Sequence, residues 1–139
     1  MRQVPFVRAC YTVYGNDLDL NQLDALGLPP PSSRRFSFER KLARSIPHAR
    51  ANFWGYWTEG HHLEIEAPLT SLLDLLEDHA TVLNAALKEY SSEAHFLVQV
   101  TICRDHILYE LSGSTLKRLA RFDASFAIDI ADESVGETE

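Results

Sequence analysis

Cysteine is scarce in this chain: Cys10 and Cys103 are the only two, and no C-x-x-C pair occurs. That excludes a disulfide framework and a paired-thiol zinc or redox motif. Both cysteines sit in apolar runs, which predicts reduced, partly buried thiols. Glycine is also sparse, at six residues, and no G-x-G-x-x-G or phosphate-cradling loop is present. G-x-S-x-G is absent too, so the strand-to-helix serine nucleophile is excluded. No apolar run approaches the roughly 18 residues of a membrane-spanning helix. The opening residues, Met1 to Phe6, lack an apolar signal core. The expectation is a cytoplasmic protein without membrane contact.

What remains is a chain of 139 residues, 45% hydrophobic and 24% charged. These values suit one folded domain with its own core. The expected organisation is a single α+β domain over residues 1–131 and an acidic, disordered tail over residues 132–139. The net charge is −7, unevenly spread. Residues 1–66 carry 8 basic and 7 acidic side chains, and residues 67–139 carry 5 and 13. An acidic half disfavours nucleic acid and favours a basic protein partner.

Residues 4–14 read as a strand that Gly15 and Asn16 end. Asp19 is an N-cap for a short helix with Leu20, Leu23 and Leu26 inward. Gly27 then supplies a left-handed turn position, with Leu28 folding back and Pro29 blocking continuation. Residues 34–44 and 51–58 read as strands, with a further short strand over 61–66. Leu69, Leu72, Leu73, Leu76, Ala80, Leu83, Leu87 and Tyr90 form one continuous stripe, which predicts a single long helix from residue 67. A strong strand over 94–103, a short strand over 107–111, a short helix near 116–122 and a closing strand over 125–130 complete the order. The predicted fold is α+β: a mixed or antiparallel sheet with one long and two short helices on one face. The first and last thirds share a rhythm, compatible with a pseudo-repeat of two βαβ-like halves.

Four groups of residues are candidates for function. His61, His62, Glu64 and Glu66 include metal-ligand types, but one strand holds them too far apart to converge on an ion. No metal and no cofactor is expected. The basic, aromatic middle holds Arg34, Arg35, Arg40, Trp54, Tyr56 and Trp57, a set suited to binding a small ligand or single-stranded nucleic acid by stacking and phosphate contact. Asp17 and Asp19 are better explained as turn and capping residues than as an acid–base pair. Finally, strand alternation predicts a sheet face carrying Arg8, Thr12, Tyr14, Gln99 and Thr101, opposite an apolar face covered by helices. Such a face can receive a partner.

The stretches YGNDLDLNQLDALGLPP, FWGYWTE, PLTSLLDLLEDH and LYELSGSTLKRLARFDASFAIDI run through nearly the whole chain. Together they resemble a bacterial family known as domain of unknown function 4279. The resemblance implies an α+β domain of about this length and carries over no catalytic residue. In class, small acidic domains of this kind resemble immunity or partner-neutralising proteins. The leading expectation is a non-catalytic interaction domain that meets a basic protein. Glu77, Asp78, Glu89, Glu93, Asp129 and Asp132 would steer that approach. The alternative is a ligand or nucleic-acid module using segment 34–57. A metal-assisted enzyme at His61 and His62 is a third class. Homodimerisation through the open sheet face is left open.

Overall fold

The computed structural model describes residues 5–35, 52–102 and 107–132. The chain forms β1 (Phe6–Gly15), α1 (Leu20–Asp24), β2 (Ser33–Arg35) and β3 (Asn52–His61). It continues through α2 (Glu66–Leu76), a 3-10 turn (Glu77–His79), α3 (Ala80–Glu89), β4 (Glu93–Ile102), α4 (Gly113–Leu119) and β5 (Ser125–Asp132). The strands make one open five-stranded sheet in the order β2-β3-β1-β4-β5. Every pairing is antiparallel except β4 with β5, which is parallel. The fold is therefore α+β with a mixed sheet.

The connectivity explains this order. β1 and β2 run parallel with β3 between them, and β3 and β4 run parallel with β1 between them. This is the split βαβ arrangement of ferredoxin-like domains. A fifth strand is added beside β4 through α4. The two βαβ-like halves suspected from rhythm are thus unequal. The crossing from β1 to β2 skips a strand, whereas that from β4 to β5 joins neighbours.

Alternation along β1 builds the core. Val7, Ala9, Tyr11 and Val13 are buried on the inner face, in line with Trp54 and Tyr56 of β3 and Ala94, Phe96, Val98 and Val100 of β4. The leucine stripe of α2 and α3 closes over them, with Leu69, Leu72, Leu73, Leu76, Leu83 and Leu87 buried. Phe122 completes an aromatic group with Tyr11 and Phe96, its ring centroids 5.6 and 5.2 Å away. Asn84 of α3 holds the segment around Phe122 with both ends of its amide. Its Nδ2 donates to Arg121 O at 2.8 Å and its Oδ1 accepts from Asp123 N at 2.9 Å.

Polar contacts tie α4 to α2. Glu66 Oε1 accepts from the Ser112 backbone N–H at 2.7 Å and from the Thr115 hydroxyl at 2.6 Å. These bonds, Thr115 first, hold the Glu66 carboxyl below its ordinary range. Arg118 reaches back to Glu77 at 2.8 Å and Asp74 at 2.5 Å.

The local expectations around α1 hold in most respects. Asp19 accepts from the Asn21 and Gln22 backbone N–H groups, and Gly27 has φ +75°. Leu26, expected inward, is 43% exposed because α1 stops at Asp24. The expected single long helix spans residues 66–89 but tightens into the 3-10 turn beside the Arg118 contact. The short strand expected over 61–66 does not form. The chain leaves the sheet after His61 and makes one bridge, Glu64 to Leu108, while Ile65 enters a small cluster with Val7, Val98 and Val100. The strand expected over 107–111 reduces to that same bridge. Of the strand expected over 34–44, only Arg34 and Arg35 lie within described residues, in β2; the remainder, Arg40 included, lies outside them, as does the acidic tail beyond Asp132.

A buried relay links β3 to the segment that follows the Gly27 turn: Trp54 Nε1 donates to the Tyr56 hydroxyl at 3.0 Å, which donates to Pro29 O at 2.8 Å. Removing the hydroxyl leaves a donor and an acceptor without partners. Tyr56→Phe should cost about 1–3 kcal/mol in urea unfolding; an unchanged midpoint would show that the relay contributes nothing.

Candidate functional site

Helices cover one side of the sheet, so the side chains of alternate strand positions are left on the other. The antiparallel and parallel registers arrange them in rows. One row runs Asp129, Gln99, Arg8, Glu59. The next runs Ala127, Leu97, Cys10, Trp57. A third runs Ser125, His95, Thr12, Gly55, Ser33, and a fourth places Tyr14 beside Phe53 and Arg35.

The middle of this face is lined by small residues. Cys10 and Thr12 are nearly buried, and Gly55 lies opposite Thr12. A Cβ at Gly55 would stand 2.9 Å from the Phe53 ring, so the missing side chain is what lets that ring fold down onto the strand.

Two cation–aromatic pairs flank the centre. The Arg8 guanidinium lies 5.4 Å from the Trp57 ring centroid, and its Nε donates to Glu59 Oε2 at 2.7 Å. The Arg35 guanidinium lies 4.9 Å from the Phe53 ring centroid. The Tyr14 and His95 rings meet tilted, with centroids 5.2 Å apart, and Phe6 meets His61 edge-on at 5.4 Å. Between β1 and β5, a depression of about 290 Å³ is lined by Arg8, Gln99, Thr101 and Asp129. Arginine and aromatic side chains around a small-residue centre are the types that dominate binding energy at protein interfaces.

Burial pushes the Cys10 thiol up from 9.0 to about 11, despite the opposing charge of Arg8. A thiol held protonated at neutral pH is a poor nucleophile. Burial, and then a hydrogen bond to Glu93, also raises Tyr14. Among the described residues, no group of three or more His, Cys, Asp or Glu side chains could hold a metal ion. His61 and His62 instead line a recess of about 450 Å³ with Leu63, Glu64 and Leu108.

The residues expected to bind are divided by strand alternation. Trp57 and Arg35 lie on the open face. Trp54 and Tyr56 point the other way and are core residues, closed to a ligand stacking from outside. Arg34 shares the Trp54 row at the sheet edge and pairs with Asp24 at 2.9 Å. Arg40 lies outside the described residues. The face expected from alternation alone, with Arg8, Thr12, Tyr14, Gln99 and Thr101, is assembled as anticipated. Missing from that expectation were Phe53, Trp57 and Glu59, which join once β3 takes its place beside β1. The acidic residues expected to steer a partner do not share one face. Asp78 and Glu89 are in the helical layer, Glu77 is engaged by Arg118, and Glu93 and Asp129 are on strands.

Fold and face together define an open-faced α+β sheet domain. The chain belongs to the family described as Domain of unknown function (DUF4279), whose sequence profile matches residues 7–133. No curated protein and no solved structure matches it. No helix among the described residues is long and apolar enough to cross a membrane.

The Cys10 environment is open to measurement in a Cys103→Ser protein. A shift from 9.0 to about 11 lowers the thiolate population about a hundredfold at neutral pH. A thiolate of higher pKa is also more nucleophilic, so native Cys10 should react with an aromatic disulfide reagent more slowly, by about tenfold or more, than the unfolded chain. Equal rates would contradict its burial.

Proposed function

We propose that this protein is a non-catalytic interaction domain whose docking surface is the open face of the sheet. The observation that carries the reading is the arrangement of Arg8 over Trp57 and Arg35 over Phe53 on either side of a small-residue centre. Half-exposed aromatic rings held in place by guanidinium groups lose little freedom on binding and present large apolar area. The partner is a basic protein, drawn by the net charge of −7. Capture and neutralisation of such a protein, an immunity-type role in the cytoplasm, is the narrower form of the same reading.

A second reading uses the same rings. Trp57 and Phe53 offer flat surfaces on which a nucleic-acid base or a planar small molecule could stack. The surrounding charge favours the protein partner. Glu59 is paired with Arg8, and Asp129 follows Gln99 in the same row and lines the same depression as Arg8, so a phosphate there would meet carboxylates.

The test is a pull-down from native extract with immobilised protein at low and high salt, run beside Trp57→Ala. Loss of a central aromatic anchor costs about 2 kcal/mol or more, which is about thirtyfold in affinity. The wild type should retain one stoichiometric basic protein that high salt releases, and the variant should lose most of it. Equal retention by Trp57→Ala would remove the open face from the account. Retention of nucleic acid in its place would favour the second reading.

A further inference from the structure

The two edges of the sheet are built differently. At one edge, β2 carries Arg34 and Arg35 within its described residues, Ser33–Arg35. Charge on an edge strand is a common protection against edge-to-edge pairing. At the other edge β5 runs for eight residues and, among the described residues, pairs with β4 on one side only. Every described side chain from residue 125 to residue 131 is exposed.

The apolar row of β5 is the unusual part. Phe126, Ile128 and Ile130 are in register with Phe96, Val98 and Val100 of β4. In β4 that row is buried beneath the helices, with Val98 fully enclosed. In β5 the same row is 40%, 39% and 51% exposed. The helical layer stops one strand short. An eight-residue edge with a bare apolar row, and with aspartates only at Asp129 and at its last residue, Asp132, is a template for strand addition.

The geometry points to a second copy of this chain as the occupant, with β5 pairing antiparallel to itself about a two-fold axis at Ile128. Such an axis, perpendicular to the sheet, keeps the helices of both copies on one side, so residues facing each other must share a face. Centred on Ile128, the register opposes Phe126 to Ile130 and Ile128 to its own counterpart. Ala127 then faces Asp129 and Ser125 faces Ala131. All three apolar residues find apolar partners and no two like charges meet. Moving the axis to Asp129 sets two carboxylates opposite each other, which is destabilising. Moving it to Ala127 leaves Ile130 without an apolar partner in the strand. Because both copies use the same edge, the contact closes on itself and gives a dimer rather than a fibre. The two open faces would then lie side by side on one continuous sheet.

Sedimentation equilibrium of the wild type should give twice the chain mass, and Ile128→Lys should give the monomer, since it sets two ammonium groups across the axis. A monomeric wild type, or a dimeric Ile128→Lys with native circular dichroism, would overturn the proposal. Cross-linking provides a test that does not depend on how the lysine variant folds. Paired antiparallel Cα atoms lie about 4.5–5.5 Å apart, within disulfide reach. Under mild oxidation Ile128→Cys should form a covalent homodimer. Phe126→Cys should cross-link to Ile130→Cys but not to itself. Wild type carried through the same oxidation controls for the natural cysteines. Failure of Ile128→Cys to cross-link, or self-linking of Phe126→Cys, would reject this register. A wild type that stays monomeric and instead binds an added strand peptide at β5 would assign the edge to a different partner.

Discussion

Everything in this fold depends on β1 being paired along its length on both sides, with β3 and with β4. A central strand has no freedom to slip, because a one-residue shift would exchange its two faces. Val7, Ala9, Tyr11 and Val13 would move into water, and Arg8 would be driven under the helices. The same alternation that buries the first set leaves Arg8, Cys10, Thr12 and Tyr14 on the open side. Core and candidate site are thus two readings of one ten-residue strand.

The helical layer is matched to that strand and its immediate neighbours rather than to the whole sheet. Leucines of α2 and α3 cover β3, β1 and β4. Glu66 and Arg118 anchor α4 onto α2, drawing it towards the centre. Phe122 and the Asn84 clamp then launch β5 parallel to β4. β5 is held by its hydrogen-bonded ladder more than by burial of its side chains. That explains how a domain with a well-packed centre still presents apolar surface at one margin. The layer covers one face only, so the molecule has two chemically different sides.

Much of this was legible from local pattern. Alternation alone identifies β1, β4 and β5, and it places Arg8, Thr12, Tyr14, Gln99 and Thr101 on one face. Capping at Asp19 and the glycine turn at Gly27 are local events, legible from a few neighbouring residues. The remainder depends on contacts between distant residues. Trp54, Tyr56 and Trp57 look alike as a sequence run, and only the place of β3 beside β1 decides which rings enter the core. Residues 61–66 alternate as a strand does, yet the pull of Ile65 into the Val7 cluster and the start of α2 at Glu66 take all but His61 out of the sheet. The 3-10 turn at Glu77–His79 was hidden because the apolar stripe runs through it without a break.

The central claim is that one sheet face is sealed and the other open, with neighbouring aromatic residues of β3 divided between them. Hydroxyl-radical footprinting of the free protein, read residue by residue, tests this directly. Oxidation should be readily detected at Trp57, Phe53 and Tyr14, while Trp54, Tyr56 and Tyr11 stay protected until the protein unfolds. Trp54 oxidising as fast as Trp57 in the native protein would contradict the two-sided arrangement, and with it the placing of a docking surface on the open face.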